Sequence, residues 1–267
     1  MKVMKFGGTS VGSPDRMKNV ASLITESGDP TFVVLSAMSG TTNSLIEISN
    51  YLYKKNPDGA NEVINKLEKK YMQHVEELYS TDEYKEKTRE FLREEFKYMR
   101  SFTKDIFTSF EEKSIVAQGE IMSTNMVLNY LQEQGIKATL LSAFDFMRTD
   151  KNAEPDAQYI KEKLTAIMAE NEGYQIYITQ GFICLNAYGE IDNLQRGGSD
   201  FTASLIGVAL GAEEIQIWTD IDGMHNNDPR IVDETDAIRQ LNFEEAAELA
   251  YFGAKILHPT CVQPAKY

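Results

Sequence analysis

The stretch from Lys2 to Leu35 limits the fold more than any other part of the chain. Lys2–Phe6 reads as a short strand and Gly7-Gly8-Thr9-Ser10-Val11-Gly12 as a glycine-rich turn. Ser13 and Pro14 follow as the N-cap and first position of a helix. Met17, Val20, Ala21 and Ile24 then recur at the spacing of one helical face. Gly28-Asp29-Pro30 breaks the helix, and Thr31–Leu35 is apolar and β-branched, the pattern of a buried strand. Strand, turn, helix, strand is the opening of a parallel α/β sheet. A right-handed crossover sends both strand ends to one edge of that sheet. Gly7-Gly8 and Ser36-Ala37-Met38-Ser39-Gly40-Thr41-Thr42 are therefore expected side by side.

From about Leu45 to about Ser114 the chain is rich in Glu, Lys, Tyr and Leu and reads as several amphipathic helices. Breaks are expected at Asn56-Pro57-Asp58-Gly59 and near Ser80-Thr81-Asp82, with charges on solvated faces and aromatics in packing; no chemistry is legible there. The α/β pattern resumes with a helix over Ile121–Gln134, stopped by Gly135, and strands at Ala138–Leu141 and Gln175–Thr179. Phe182–Asn186 and Glu190–Gln195 flank Ala187-Tyr188-Gly189 as a hairpin. Asp200–Leu210 is a small-residue helix ended by Gly211, and Glu214–Thr219 the next strand. Glu244–Tyr251 is a helix capped by Asn242, with Glu245 closing a capping box. Residues 1–267 thus read as one domain with a mostly helical insertion at about 45–115.

A chain of 267 residues, 42% hydrophobic, is long enough to bury a sizeable core. Its charge balance, 27 − 41 = −14, gives no attraction to nucleic acid or an anionic membrane. An anionic substrate must then be held by a local cluster of basic groups and backbone N–H groups. Cys184 and Cys261 stand far apart and read as reduced thiols; His74, His225 and His258 are scattered and suggest no zinc site. The strand-like start argues against a signal peptide, and no apolar run is long enough to span a bilayer, so the cytoplasm is the expected compartment.

Five segments carry candidate chemistry. Glycines between a strand and a helix let N–H groups approach an anion, and Lys5 beside them is a point charge for phosphate; the same glycines also serve a plain turn. Neither the Walker pattern nor Gly-x-Gly-x-x-Gly is present. In Gln195-Arg196-Gly197-Gly198-Ser199-Asp200, Arg196 offers a fork for a carboxylate, the glycines expose N–H groups, and Ser199 caps the helix or bonds a ligand. Trp218-Thr219-Asp220-Ile221-Asp222-Gly223 follows a strand, where open α/β sheets bind ligands, and is equally a β-turn. Lys255, after Phe252-Gly253-Ala254, is either held for a purpose or snorkels at the surface. Glu120 in Gln118-Gly119-Glu120 reads as the start of a helix, where a carboxylate complements the dipole or binds a ligand ammonium.

Taken in order, seven segments resemble the aspartate kinases of the amino-acid kinase superfamily. They are Lys-Phe-Gly-Gly-Thr-Ser-Val at 5–11, Leu-Ser-Ala-Met-Ser-Gly-Thr-Thr-Asn at 35–43, Gln-Gly-Glu at 118–120, Arg-Gly-Gly-Ser-Asp at 196–200, Trp-Thr-Asp-Ile-Asp-Gly at 218–223, Asp-Pro-Arg at 228–230 and Phe-Gly-Ala-Lys-Ile-Leu-His-Pro at 252–259. The resemblance implies a three-layer α/β/α sandwich around a mainly parallel sheet. It also implies transfer of the ATP γ-phosphoryl group to the side chain of L-aspartate, giving 4-phospho-L-aspartate, the first step towards lysine, threonine and methionine. By matching position, Lys5, Phe6, Gly7, Gly8, Thr219, Asp220, His225, Arg230, Lys255 and Ile256 fall on the ATP side, with Lys5, Lys255 and Asp220 catalytic. Ser36, Thr42, Glu120 and Arg196 are implied to hold aspartate, Glu120 facing its ammonium and Arg196 a carboxylate. Gly197, Gly198, Ser199 and Asp200 line the same site.

The acceptor carboxylate is already ionised at pH 7, so the step needs charge neutralisation and alignment and no general base. Mg²⁺ is expected to be held by phosphates and water, and no protein ligand is assigned to it. The family usually has Tyr where this chain has His225. It also continues past the position of Tyr267 into a final strand and small domains that bind end-product amino acids. A catalytic part without that region is the expectation, with no inhibition of this chain by lysine or threonine; a homo-oligomer stays open. The alternatives are a kinase for glutamate, acetylglutamate, carbamate or a nucleoside monophosphate, and a nucleotide-binding partner subunit without catalysis, which the presence of Lys5, Asp220 and Lys255 disfavours.

Overall fold

The computed structural model describes residues 1–104, 106–194, 197–228, 231–252, 257, 259–262 and 264. Its elements run β1 (Lys2–Phe6), α1 (Pro14–Thr25), β2 (Thr31–Leu35), α2 (Thr41–Tyr53), α3 (Pro57–Leu78), α4 (Asp82–Ser101) and α5 (Ser109–Glu133). Then come β3 (Ala138–Leu140), α6 (Ala143–Phe146), α7 (Ala157–Glu170), β4 (Ile176–Gln180), β5 (Ile183–Leu185) and β6 (Ile191–Asn193). Last are α8 (Gly198–Leu210), β7 (Glu214–Trp218), α9 (Phe243–Phe252) and α10 (Pro259–Val262). Among the described residues no helix is long and apolar enough to cross a membrane.

Five strands form one parallel sheet in the order β3-β4-β2-β1-β7. Lys5 pairs with Val34 on one side and Ile217 on the other, and Phe6 with Leu35 and Trp218. Alternation along the strands splits the core in two. Met4, Phe6, Val33, Leu35, Ile176 and Ile178 pack against α1 to α5. Val3, Phe32, Val34 and Tyr177 pack against α6, α7 and α8 on the other face. The result is the expected α/β/α sandwich. Lys5, one residue from both Met4 and Phe6, faces the α8 side.

The opening unit forms as read. Ser13 caps α1 by accepting from the Arg16 N–H, and Met17, Val20, Ala21 and Ile24 are its buried stripe. The hairpin β5-β6 forms antiparallel, Gly211 ends α8 in the left-handed conformation, and Asn242 with Glu245 makes the capping box of α9. The breaks at Pro57 and Thr81 separate α2, α3 and α4.

Three local readings need correction. The helix expected over Ile121–Gln134 begins at Ser109 and runs unbroken through Gln118-Gly119-Glu120. A Cβ on Gly119 would stand 2.8 Å from the Ala37 Cβ, so this glycine lets α5 press against the loop after β2 and does not end a helix. Glu120 therefore lies in mid-helix, and the argument from the dipole at a helix start does not apply to it. Finally, α7 was not foreseen, although Asp156 caps it and Ile160 and Leu164 bury its face.

Candidate functional site

Chain order leaves β1 in both directions, towards β2, β4 and β3 on one side and β7 on the other. The carboxyl ends of β1, β2 and β7 therefore flank a topological switch point, where open α/β sheets take their ligands. Gly7-Gly8, Ser36–Thr42 and Thr219-Asp220 follow those three strands.

The glycine turn and the loop after β2 touch. The Ser39 N–H donates to the Gly8 carbonyl at 3.0 Å, and the Ser36 N–H to the Phe6 carbonyl at 3.2 Å. A Cβ on Gly8 would lie 2.7 Å from the Ala37 carbonyl oxygen, a backbone atom that cannot swing aside. Gly8→Ala is accordingly expected to push the two loops apart, costing about 1–3 kcal/mol of stability together with most turnover; urea unfolding and a turnover assay on the same sample check it.

Two helices aim their N-termini at this edge. Gly40 and Gly197, both left-handed (φ 80° and 82°), are the N-caps of α2 and α8, and neither helix has a side-chain cap. The positive end of each helix favours an anion there, although the Thr41 N–H already donates to the Met38 carbonyl at 3.0 Å and the Asp200 N–H to the Gly197 carbonyl at 2.9 Å. Ser199, read as either cap or ligand group, is not the cap: it stands inside α8, and its Oγ accepts from the Ser36 Oγ at 2.9 Å. That bond joins the end of β2 to the start of α8.

Lys5 and Asp200 meet in an ion pair, Nζ to Oδ1 2.6 Å, with side chains 12% and 17% exposed. Asp200 holds the lysine amine at the start of α8. Thr219 and Asp220 stand one strand away; the Thr219 hydroxyl donates to Asp220 Oδ1 at 3.2 Å. With Phe6, Trp218, Arg16 and Asn19 they line a cleft of about 370 Å³ on the α1 side, where the rings of Phe6 and Trp218 stack at 5.7 Å.

Glu120 is 5% exposed and accepts the Ala37 N–H at 3.2 Å. It has no ion-pair partner among the described residues. Burial pushes its carboxyl up to about 8, and the Ala37 hydrogen bond pulls it only part of the way back. Such a group gains most from a ligand cation placed beside it. Ser123, which the sequence reading missed, donates to the Ser36 carbonyl at 2.8 Å and orients that residue from the turn after Glu120. Only its spacing of three from Glu120 on one helix hinted at this.

Thr42 is partly buried in the first turn of α2. His225 is buried and uses both ring nitrogens, Nε2 with Asp222 Oδ1 at 2.6 Å and Nδ1 with Thr235 Oγ1 at 3.0 Å, which staples the loop after β7. Arg196, Arg230, Lys255 and Ile256 lie outside the described residues.

The pattern that defines the Amino acid kinase family matches residues 1–267. The lysine-sensitive aspartokinase 3 of Escherichia coli (strain K12) is 35% identical over 98% of this chain and 58% of its own length. The chloroplastic aspartokinase 1 of Arabidopsis thaliana is 36% identical over 99% of this chain and 48% of its own. The chain thus spans about half the length of the curated relatives it matches. The crystal structure of E. coli aspartokinase III in complex with aspartate and ADP (R-state) superposes with a TM-score of 0.87 at 34% identity, over 99% of this chain and 59% of that one.

Proposed function

Since the chain belongs to the amino acid kinase family, we propose that it transfers the γ-phosphoryl group of ATP to the side-chain carboxylate of L-aspartate, giving 4-phospho-L-aspartate and ADP. The observation that carries the reading is the meeting, at one sheet edge, of the Lys5–Asp200 pair, two helix N-termini without a side-chain cap and the buried Glu120, which has no ion-pair partner among the described residues. Those features suit a phosphate anion on one side and an α-amino acid on the other. The aspartate and ADP present in the E. coli aspartokinase III complex agree with that pair of substrates.

In this scheme the acceptor carboxylate attacks the γ-phosphorus directly, its charge already present at neutral pH. The protein's task is to bring two anions into line and to neutralise charge on the transferring group. Lys5 and the N–H groups of Gly7 and Gly8 act on the phosphates, with Thr219 and Asp220, and Lys255 and Arg230 by resemblance, on the nucleotide side. The N-terminus of α8 and Ser199 sit between nucleotide and acceptor, while Ser36, Thr42 and Arg196 bind the acceptor and Glu120 its ammonium. Magnesium arrives as the counter-ion of ATP, held by phosphate and water oxygens.

Incubation with ATP, magnesium and aspartate is expected to yield an acyl phosphate that hydroxylamine traps as the hydroxamate. A panel containing glutamate, acetylglutamate, carbamate and nucleoside monophosphates, followed by ADP release, decides the acceptor. Turnover of another acceptor with none of aspartate would overturn the assignment.

A further inference from the structure

The helices between β2 and α5 show no chemistry in the sequence, yet α3 reaches the acceptor loop with two adjacent residues. Lys70 Nζ donates to the Ser39 carbonyl oxygen at 3.0 Å. The Tyr71 hydroxyl shares a hydrogen bond with Thr41 Oγ1 at 3.1 Å. Both contacts fall on the loop 36–42, which carries Ser36 at one end and opens α2 at the other. Ser39 in turn donates its N–H to Gly8, so the restraint from Lys70 extends to the glycine turn. The Thr41 methyl lies 3.5 Å from where a Cβ on Gly119 would stand, one residue from Glu120.

Packing alone does not account for this arrangement. Tyr71 and Thr41 are both wholly buried, and the Tyr71 ring meets Phe96 edge-on, with centroids 5.8 Å apart. A phenylalanine would make the same ring contact; the hydroxyl adds only the bond to Thr41. Burial raises the Tyr71 phenol far above its usual range, and the Glu120 charge adds to the shift, so hydroxyl and carboxylate lie within electrostatic reach. Neighbouring residues on a helix project in different directions. The loop is therefore held at two points, Ser39 and Thr41, by side chains that diverge from one turn of α3.

We propose that Lys70 and Tyr71 are positioning residues that fix the shape of loop 36–42, setting Ser36 and the N-terminus of α2 against the acceptor. The proposal rests on the phosphotransfer reading of the site and gives the inserted helices a role in it.

Tyr71→Phe keeps the ring and deletes one hydroxyl. It is expected to raise KM for aspartate about tenfold, in line with one lost buried hydrogen bond, with kcat and KM for ATP close to the parent's and Tm lowered by only a few degrees, because the buried Thr41 hydroxyl loses its partner. Thr41→Val should reproduce the effect, and combining the two should add little, because they remove the two halves of one bond. Lys70→Met should shift the same parameter, and Lys70→Arg should restore it. In the ligand-free protein, amide hydrogen exchange over residues 37–44 should quicken in Tyr71→Phe and Lys70→Met. Unchanged KM with unchanged exchange overturns the proposal. So does a fall in kcat with a rise of both KM values in step with a lower Tm, which is the signature of packing alone. If the parent chain turns over no aspartate, the phosphotransfer reading fails on that count. The exchange measurement needs no substrate and still decides the role of the pair: faster exchange supports it and unchanged exchange overturns it.

Discussion

Lys5→Met is expected to lower kcat about 10²–10³-fold, the loss that follows removal of one charge-stabilising donor, and to leave KM for aspartate little changed. The proposed phosphoryl role rests on the place of the amine, which Asp200 fixes at 2.6 Å beside the start of α8. Methionine keeps the length and the apolar stem, but it leaves Asp200, 17% exposed, without its cation. A stability cost of about 1–3 kcal/mol is therefore expected as well, below the value for a fully buried pair because the site is partly open. Asp200→Asn added to Lys5→Met should recover much of that stability and none of the turnover. This separates the two roles of the lysine. A Lys5→Met protein with a kcat near the parent's would remove the phosphoryl role of Lys5 altogether.

Glu120→Gln is expected to weaken aspartate binding about 10²–10³-fold, since one partner of a buried charge pair is lost, with KM for ATP nearly unchanged. The free protein holds Glu120 in its protonated form at neutral pH, because burial has pushed the carboxyl up to about 8. An incoming ammonium favours the carboxylate, so aspartate binding at pH 7 should release up to about one proton. Calorimetry in buffers of different ionisation enthalpy reads that proton, and the glutamine variant should release none from this position. The same shift sets a pH dependence of stability. The folded value of about 8 lies above the unfolded value of 4.5, so between them the folded state binds the extra proton. Unfolding free energy from this group is therefore full below pH 4.5 and lost as pH rises through 8. Glutamine cannot titrate. The variant should consequently gain stability relative to the parent between pH 5 and pH 9, by up to a few kcal/mol. An unaltered affinity for aspartate in Glu120→Gln would show that this carboxyl does not face the acceptor.

The two residues also differ in how visible they were beforehand. Lys5 sits where a strand meets a glycine turn, and periodicity with turn chemistry is enough to find such a place. The bounds of β1 and β2 and the cap of α1 follow from the same local signals. Glu120 was recognised as a candidate, yet its setting was misjudged. Glycine before it suggests a helix start, whereas α5 is buried almost all round there and uses the glycine for close approach to Ala37. Nothing within several residues of Glu120 reports that approach. Ser199 offered a similar ambiguity: a serine after two glycines fits a cap, and only the arrival of Ser36 shows its hydroxyl engaged elsewhere.

From the chain alone came the order of elements, the parallel sheet, the edge at which the glycine turns gather and the family whose motifs they match. These depend on periodicity, on turn residues and on the fixed hand of the crossover, all properties of short segments. The pairing of Lys5 with Asp200, the burial that raises the Glu120 carboxyl, and the grip of Lys70 and Tyr71 on loop 36–42 were settled by tertiary structure. Each is a contact between segments remote in sequence. Its strength is set by how much water the intervening packing excludes, which no local pattern records.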